Sequence, residues 1–409
     1  MKHILYIYQY FATPKGSTGT RSYEFAKHWV KAGHKVVMLT TVAQLTKQDL
    51  QNSTGRFIKR IIIDGIDVKA VSLPYNQKMG FIRRSFSFIG FVLIASVYLL
   101  FVKSPDVIYA TSTPLTVGIP ALSAKWLRRI PFVFEVRDQW PQIPIELGII
   151  KNKLLIKILL WLEKIIYKNS SAVVALSPGM AEGVRDVTGN SKRIKIVSNC
   201  SDLDLFRPDI DSSGIRQDRS WNDKFILLHF GAMGKANGLD FVVNLAEKLA
   251  DNKNIHFVLV GGGGEKQKLK DTITRTGLDN IEIFDSVPKA QLPYLVAAAD
   301  VSMVIFANHP ILEHNSANKF FDSLSAGKPV LLNYSGWQRK VLEDNNAGLG
   351  CDICNVDQFV ANVTKLYNDR ELVKGMARNA RKLAEHKFSR DMLAKRVMKV
   401  LETVNAKNS

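Results

Sequence analysis

The sequence has few cysteines and lacks the most familiar nucleotide-binding signatures. Cys200, Cys351 and Cys354 are too few for a disulfide framework, which fits a reducing compartment. Cys351 and Cys354 form a C-x-x-C, but no second pair or nearby histidine completes a zinc site, so the pattern predicts an ordinary loop. No Walker A sequence and no G-x-G-x-x-G is present. The first residues, MKHILYIYQYF, predict a strand and no secretory signal.

Acidic residues are also scarce. Asp and Glu number 37 against 56 Lys and Arg, which gives a formal net charge of +19 over 409 residues. Such a charge favours a polyanionic partner, either nucleic acid or an anionic membrane face. A nucleic-acid-binding protein is the weaker interpretation, because the sequence has no recognisable binding module and no basic face interleaved with aromatic residues. The composition, 46% hydrophobic and 23% charged, predicts a globular protein, and the length predicts about two domains.

Buried strands alternate with helices along the chain. Continuous apolar strands separated by helices predict a parallel sheet covered on both faces. The alternation restarts at Phe225–Phe230, after a polar stretch near Ser201 to Asp223. The expected fold class is therefore α/β with two Rossmann-like doubly wound domains, whose ligands bind beyond the carboxyl ends of the strands. The other predicted strands are Ile4–Tyr8, 34–41, Val68–Val71, Val107–Ala110, Phe132–Val136, Ala172–Leu176, Ile194–Val197, His256–Val260, Ile281–Ile283, Val301–Ile305 and Pro329–Leu332.

Two apolar segments suit a membrane surface. Ser85–Val102 is an uncharged run of 18 residues with basic flanks, which is the lower limit for a membrane span. A span would split one sheet across the bilayer, so we expect a helix that is partly buried and partly dips into the membrane. Lys151–Asn169 places lysines around Leu, Ile and Trp, a composition that suits anionic lipid. A packed helix with snorkelling lysines is its alternative.

Three glycine-rich turns follow predicted strands: 16–20 (GSTGT), 231–238 (GAMGKANG) and 261–266 (GGGGEK). Small residues there let backbone N–H groups and a helix N-terminus approach an anion. Each turn alone could be an ordinary loop. Together they suit an enzyme that binds a nucleotide sugar.

Two charged clusters follow apolar segments. Glu135, Arg137 and Asp138 in FVFEVRDQWPQ lie where a buried strand ends, which predicts either a buried ion pair or a site. Asp202 and Asp204 form a D-x-D, a pattern with which some transferases hold a metal. Because this D-x-D precedes LFRP in an apparent linker, we expect it not to bind a metal.

The segment EHNSANKFFDSLSAGKPVLL, 313–332, combines a polar loop, a short charged helix and an apolar run. Gly327 would end the helix. One interpretation is an ordinary loop, helix and buried strand. The other is a phosphate-binding loop followed by Asp322, which would hold a sugar hydroxyl.

Together these segments resemble the glycosyltransferases of family 4, most closely the bacterial branch that builds O-antigen, capsule and exopolysaccharide repeats. The resemblance covers nearly the whole chain, and the order and spacing of the motifs carry it. The matching motifs are the first glycine-rich loop with GHKVVMLTT, then EVRDQWP, VVALSPGM, IVSNCSDLDLFRP, HFGAMGKANGL, FVLVGGGGEK, VPKAQLPYLVAAADV and NKFFDSLSAGKPV.

The resemblance implies the GT-B arrangement, in which two Rossmann-like domains face a central cleft. Residues 1–200 would form the acceptor-side domain with membrane-associating helices, and residues 201–385 the nucleotide-sugar-binding domain. Residues 386–409 would form a C-terminal helix that packs back on the first domain. The resemblance further implies sugar transfer with retention of anomeric configuration, and no required metal or cofactor.

The resemblance also assigns residues around the donor. Alignment on the A-x-G-x-P places the family's second glutamate on Asp322, where a carboxylate can accept both ribose hydroxyl protons. The first glutamate falls on His314, beside Glu313, which becomes a candidate catalytic residue. Backbone amides of Ala317 and Asn318 would meet the diphosphate. The other residues expected on the donor side are Gly16, Gly19, Gly231, Asn237 and Val287.

One departure from the family pattern needs compensation. The family's Arg and Lys after the first strand of the second domain are Ala232 and Asn237 here. Stabilising the leaving charge is usually the largest catalytic contribution, so another cation should replace the pair. Lys319 is the first candidate, with Lys235 and Arg21 as alternatives. In the first domain, Asp138 would orient or deprotonate the acceptor, and Glu135 and Arg137 would lie on the acceptor side.

The expected function is transfer of a sugar, with an N-acetylhexosamine as the candidate, from a UDP-sugar to a polyprenyl-diphosphate-linked saccharide. The enzyme would work at the cytoplasmic face of the bacterial inner membrane, as a peripheral or monotopic protein. The alternative enzyme is a nucleotide-sugar 2-epimerase, which shares the two-domain architecture and needs no lipid.

Overall fold

The computed structural model describes residues 1–16, 18–73, 79, 81–189 and 193–404, with residues 81–85 described by their backbone alone. Ser17 of the first glycine-rich loop and residues 405–409 of the predicted C-terminal helix lie outside these ranges. The chain divides into two compact units, one of residues 1–198 together with the chain from Asp391 onward, the other of residues 199–390. The second unit begins at Asn199, because the side chains of Asn199 and Ser201 donate to Ser316 O and Phe321 O of that unit.

The first unit contains an eight-stranded sheet in the order β3-β4-β2-β1-β5-β6-β7-β8. All its pairs are parallel except β3 with β4. That hairpin corrects the prediction of a fully parallel sheet: Asp64 and Gly65 have φ of 46° and 82°, the left-handed pair that a tight hairpin turn requires. The strands are β1 (His3–Ile7), β2 (Lys35–Thr41), β3 (Ile58–Ile63), β4 (Ile66–Val71), β5 (Val107–Thr111), β6 (Phe132–Val136), β7 (Ala172–Ala175) and β8 (Ile194–Ile196).

Helices cover this sheet and bury its apolar side chains in one core. Several have the expected end signals: Asn152 caps α6 by accepting from Leu154 N and Leu155 N, and Gly189 ends α7 in the left-handed conformation. The helices are α1 (Arg21–Lys31), α2 (Lys47–Leu50), α3 (Phe81–Phe101), α4 (Gly118–Arg128), α5 (Gln142–Glu146), α6 (Lys153–Asn169) and α7 (Pro178–Thr188).

The second unit contains a six-stranded, all-parallel sheet in the order β11-β10-β9-β12-β13-β14. Its strands are β9 (Phe225–Ala232), β10 (Ile255–Gly262), β11 (Ile281–Phe284), β12 (Val301–Val304), β13 (Val330–Leu332) and β14 (Gly348–Gly350). Its helices are α8 (Ser213–Asp218), α9 (Asp240–Lys248), α10 (Lys266–Thr276), α11 (Leu292–Ala298), α12 (Asn318–Ser325), α13 (Trp337–Asp344), α14 (Val356–Asn368) and α15 (Arg370–Lys387).

The last helix, α16 (Arg390–Thr403), lies almost entirely in the first unit. Trp29 Nε1 donates to Ala394 O at 3.1 Å, and Lys2 Nζ donates to Leu401 O at 2.9 Å. The end of the chain is thereby fixed to α1 and to the start of β1.

The three cysteines are free thiols. Cys351 lies in the core of the second unit, and burial raises its pKa to about 12, so its sulfur is a packed apolar group at neutral pH. Among the described residues, no group of three or more His, Cys, Asp or Glu side chains could hold a metal ion.

The helix α3 is buried on one side only. Phe91, Ala95 and Leu99 are completely buried, whereas Phe86 and Leu93 are 69% and 61% exposed. α3 packs against α4, and α4 packs against α6. Within the described part of the chain, no helix is both long enough and apolar enough to cross a membrane.

Candidate active site

The carboxyl ends of β9 and β10 pack closely in the second unit. A Cβ at Gly261 would lie 1.8 Å from Gly231 O, and a Cβ at Gly263 would lie 2.3 Å from Met233 O. Their φ values, 155° and 153°, also favour glycine. These two glycines of the GGGGEK turn therefore serve backbone packing between the strands.

Lys319 lies in the first turn of α12, with its amino group at the end of β9. Its Nζ is 3.1 Å from His229 Nε2, and a Cβ at Gly231 would lie 3.3 Å from the same Nζ. No carboxylate of the described residues lies within ion-pair distance of it. Burial lowers the pKa of Lys319 to about 7. Burial and the nearby Lys319 charge lower the pKa of His229 well below its usual value, so this partner is neutral.

Lys328, just beyond α12, is a half-buried lysine whose amino group has hydrogen-bond acceptors within the protein. Its Nζ donates to Ala297 O at 2.8 Å and to Ala299 O at 2.7 Å. Burial lowers the pKa of Lys328 to about 8. The protein gives Lys328 carbonyl acceptors, whereas Lys319 contacts a neutral imidazole. A buried cation without an anion is costly, so the Lys319 environment suits an anionic ligand.

The start of α12 adds to this positive environment. Ala317 at the N-cap position has φ −66° and ψ 130° and makes no capping side-chain hydrogen bond. The turn before it is held by Ser316 N, which donates to Asn315 Oδ1 at 2.6 Å. The first N–H groups of a helix lack intrahelical acceptors and attract anions. The predicted phosphate contacts Ala317 and Asn318 thus lie next to Lys319 in the chain.

Asp322 lies about one helical turn beyond Asn318 and is half-buried. Burial raises its pKa to about 7, with Asp202 adding to the rise and Lys289 and Arg390 opposing it. Asp202 is itself engaged by Arg390 and, at 3.7 Å, by Lys289. The first carboxylate of the D-x-D is therefore held by two cations.

The remaining predicted donor residues of the second unit lie in three other places. Lys235 and Asn237 lie in a short 3-10 helix after β9. Glu313 and His314 are the last two residues of a second 3-10 helix, Pro310–His314. Val287 lines a cavity of about 570 Å³ beside α8 and α11. No described hydrogen bond or ion pair joins Lys235, Val287 or Glu313 to Lys319 or Asp322.

In the first unit, Arg21 and Glu135 form a buried ion pair. They are 3% and 0% exposed, and Arg21 Nη2 lies 2.8 Å from Glu135 Oε1. Tyr109 Oη and Thr111 Oγ1 donate to the same carboxylate at 2.7 and 3.0 Å. Arg21 also donates to Val197 O and Ser198 O. The protein itself supplies partners for both charges, and the ligand-binding roles predicted for Arg21 and Glu135 stay predictions.

Arg137 and Asp138 lie beyond the end of β6. Thr113 Oγ1 donates to Asp138 Oδ2 at 2.9 Å, which orients the carboxylate. The Arg137 guanidinium lies 5.1 Å from the centre of the Tyr8 ring, within cation–π range. In the loop after β1, Gly16 N donates to Thr13 O at 3.0 Å, and Gly19 is exposed.

Sequence reasoning missed two buried polar residues, His229 and Gln9. His229 interrupts the apolar strand FILLHF, and such an interruption was a readable signal. Gln9 follows β1 among aromatic residues and gave no comparable signal. It is 0% exposed, and neither atom of its amide has a hydrogen-bond partner among the described residues.

Two family models match the chain. The Glycosyl transferase 4-like domain matches residues 16–200, and Glycosyl transferases group 1 matches residues 212–383. The first match falls in the first unit apart from its last two residues, and the second falls in the second unit. Together they span most of the 409 residues.

Curated relatives carry related names. The chain is 23% identical over 239 residues to the lipopolysaccharide core biosynthesis glycosyltransferase LpsE of Rhizobium meliloti, which covers 58% of this chain and 65% of LpsE. It is 32% identical over 110 residues to WcaI of Escherichia coli K12, named for colanic acid biosynthesis, which covers 26% of this chain and 27% of WcaI. The chain thus spans less than two thirds of the length of these relatives.

Solved structures share the fold over nearly the whole chain. HepE of Anabaena, solved with UDP and glucose, is 18% identical to this chain with a TM-score of 0.71. The match covers 99% of this chain and 100% of the HepE chain. WaaG, a glycosyltransferase involved in lipopolysaccharide biosynthesis, is 14% identical with a TM-score of 0.68. The match covers 98% of this chain and 100% of the WaaG chain. At such identities the likeness concerns the GT-B fold.

Proposed function

Because this chain belongs to the family 4 glycosyltransferases, enzymes of the GT-B fold, we propose that it transfers a sugar from UDP to a polyprenyl-diphosphate-linked saccharide, with retention of configuration. N-acetylhexosamines are the donor sugars to test first. The observation that carries the proposal is Lys319, a half-buried lysine without a carboxylate partner among the described residues, at the start of α12. The UDP bound in the HepE structure supports the choice of nucleotide.

The donor diphosphate is assigned to the N-terminus of α12. Its oxygens would accept hydrogen bonds from the backbone amides of Ala317 and Asn318 and pair with Lys319. Asp322 would accept the ribose hydroxyls. Charge develops on the diphosphate as the bond to the anomeric carbon breaks, and a preorganised cation is worth most at that moment. Since Lys319 and the helix supply this charge, we propose a transfer that requires no metal ion or cofactor.

The acceptor half of the reaction is assigned to the first unit. The bond between the anomeric carbon and the diphosphate breaks, and UDP leaves with the electron pair. The acceptor oxygen bonds to the same carbon on the face that UDP leaves, and its proton passes to Asp138. Thr113 holds the Asp138 carboxylate in position for this step.

Proton exchange on donor binding should reverse its sign near pH 7. A phosphate beside Lys319 favours the charged amine, and ribose hydroxyls beside Asp322 favour the carboxylate. Both groups have a pKa of about 7 in the free protein. Above pH 7, Lys319 is largely neutral and Asp322 largely ionised, so binding of a UDP-sugar takes up a proton. Below pH 7 the opposite holds, and binding releases one.

Calorimetric titration of a UDP-sugar in buffers of different ionisation enthalpy measures this exchange. At pH 8, Lys319→Ala should abolish the uptake and Asp322→Asn should leave it. At pH 6, Asp322→Asn should abolish the release. An exchange that has the same sign at both pH values would refute the assignment of these two groups.

We propose that the enzyme works on the cytoplasmic face of the bacterial inner membrane as a peripheral or monotopic protein. The surface that would contact lipid is the α3–α4–α6 face, formed by the exposed apolar side chains of these adjoining helices. Lys153, Lys157 and Lys164 on α6 provide charge complementary to anionic lipid. The face consists of Phe86, Ile89, Leu93, Val97 and Phe101 of α3, Trp126 and Leu127 of α4, and Leu154, Ile158 and Trp161 of α6.

Replacement of apolar residues on this face by serine should weaken binding to anionic vesicles. We expect Phe101→Ser combined with Trp161→Ser to lower the affinity for phosphatidylglycerol vesicles at least about tenfold, since burial of one such side chain contributes about 1.5–3 kcal/mol. Tyr294→Ser, at an aromatic residue 51% exposed in the second unit, is the matched control. Equal vesicle binding by the double variant and the control in a sedimentation assay would exclude this face.

A thermal-shift screen against UDP-, GDP- and TDP-sugars tests the donor assignment. UDP-sugars should stabilise the protein, and Lys319→Ala should reduce that shift. Absence of a shift with every UDP-sugar would contradict the assignment. The epimerase alternative predicts instead that the UDP-sugar is converted to its 2-epimer without any lipid acceptor.

A further inference from the structure

Polar side chains lie beyond the carboxyl ends of β1, β5 and β6, and two of them, Gln9 and Arg137, have buried hydrogen-bonding atoms without a partner among the described residues. β1 pairs with β5 and β5 pairs with β6, all in parallel. The residues that follow these strands therefore emerge at one edge of the sheet, where such sheets bind ligands. They include Gln9, Thr113, Arg137 and Asp138.

Gln9 has a buried amide that the fold does not use. Its side chain is 0% exposed, and neither Nε2 nor Oε1 has a partner among the described residues. Its backbone carbonyl is engaged separately, by Thr41 Oγ1 at 2.8 Å. A buried unpaired amide destabilises the folded state, so an apolar residue of similar size would favour folding more. The amide therefore suits a bound ligand.

The Arg137 side chain also has a buried hydrogen-bonding atom that the fold does not use. Its Nη1 is buried without a hydrogen-bond partner among the described residues. Tyr8 contacts the rest of the side chain: its ring centre lies 5.1 Å from the guanidinium, and its hydroxyl is hydrogen-bonded to Arg137. The Glu135 carboxylate, whose charge also acts on Arg137, is paired with Arg21. A guanidinium with a free N–H group can bind phosphate or carboxylate oxygens.

We propose that Arg137 and Gln9 bind an oxyanion of the acceptor, a phosphate or a sugar carboxylate, beside the hydroxyl that Asp138 deprotonates. This rests on the proposed transfer function. Arg137 and Asp138 are consecutive, with Cα atoms about 3.8 Å apart. The Asp138 charge acts on Arg137, and an oxyanion bound beside the attacked hydroxyl would belong to the same sugar unit or to a directly linked group. The acceptor is either a sugar joined directly to the lipid diphosphate or a saccharide that ends in an acidic sugar.

Three acceptors distinguish the sources of the oxyanion: an N-acetylglucosaminyl diphosphoryl lipid, an alkyl glucuronide and a neutral alkyl N-acetylglucosaminide. The wild-type protein should use one of the two anionic acceptors with a kcat/KM about 10- to 100-fold above the neutral one, the range for one charge-assisted hydrogen bond. Arg137→Gln should lower kcat/KM for the anionic acceptor by about 10- to 100-fold more than for the neutral acceptor. Arg185→Gln, at an exposed arginine of α7, should change neither.

Gln9→Leu separates ligand binding from folding. We expect about a tenfold higher KM for the anionic acceptor and an equal or higher melting temperature, because the unpaired buried amide is removed. A purely structural Gln9 would instead lower the melting temperature and leave KM unchanged. Equal wild-type use of neutral and anionic acceptors, or an Arg137→Gln loss that is the same for both, would overturn the inference while UDP-sugar stabilisation persists. If no UDP-sugar stabilises the wild-type protein, it is the donor assignment of the proposed function that fails.

Discussion

Replacement of Lys319 by alanine is expected to lower turnover at least about 100-fold, the scale for the loss of one group that stabilises developing charge. The family's usual Arg and Lys are Ala232 and Asn237 in this chain, so no cation at those two positions shares the work. Lys319 contacts neutral His229 rather than a carboxylate, and its removal breaks no described ion pair. The melting temperature should therefore be retained. Steady-state transfer kinetics and a thermal melt measure both quantities.

Lys328→Ala is the matched control. Lys328 is also a half-buried lysine near α12, but its amine donates to the carbonyls of Ala297 and Ala299. Its loss should lower the free energy of unfolding by about 1–3 kcal/mol, because buried carbonyls lose their donor. The affinity of the Lys328→Ala variant for the UDP-sugar should equal that of the wild-type protein. Near-normal turnover in Lys319→Ala would reject Lys319 as the charge-stabilising group. An equal loss of donor affinity in both variants would reject it as well.

Asp138→Asn is expected to lower turnover about 100- to 10,000-fold, the range for loss of a general base. The amide has nearly the same shape and can still accept from Thr113, so the fold and the donor affinity should be preserved. The measurement is kcat with saturating acceptor, together with UDP-sugar affinity by calorimetry.

Asp186→Asn, at an exposed aspartate of α7, controls for the loss of one negative charge from the first unit. The role given to Asp138 predicts a large difference in kcat between the two variants and none in donor affinity. A kcat for Asp138→Asn within a few-fold of the control would show that another group takes the proton.

Most of the fold was predictable because parallel strands buried on both faces form continuous apolar runs. Phe132–Val136 is one such run, and the structure has β6 with those bounds. Two strands were missed. β3 is an edge strand in which Lys59 and Arg60 are consecutive, so it lacks a continuous apolar run, and β14 is only Gly348–Gly350, too short for any periodicity. The Asp64–Gly65 pair between β3 and β4 was a hairpin signal that went unused.

Candidate site residues could be proposed from the sequence most readily where one continuous segment carries them. Residues 315–322 contain the start of α12, Lys319 and Asp322, so local pattern and family resemblance were enough to propose them. The sequence did not reveal a charge that is paired with a residue far along the chain. Arg21 and Glu135 are 114 positions apart, and only the folded sheet places their side chains together. Buried charges can be recognised in a sequence, but their partners are set by tertiary packing.

The glycine-rich turns were also ambiguous in the sequence. A glycine that lets a backbone approach a phosphate and one that lets two strands pack have the same sequence signature. Gly261 and Gly263 are of the second kind, since a Cβ at either would overlap the neighbouring strand. Gly231 differs, because the group nearest to its missing side chain is the Lys319 side chain.

The most direct test of the central claim is product analysis after incubation of the wild-type protein with a UDP-N-acetylhexosamine and a polyprenyl-diphosphate-linked saccharide. Mass spectrometry reports whether the saccharide gains one sugar, and NMR reports the configuration of the new linkage. The account predicts a saccharide longer by one unit, with the anomeric configuration of the donor retained. An inverted linkage, or a 2-epimer of the UDP-sugar with no lengthened saccharide, would contradict it.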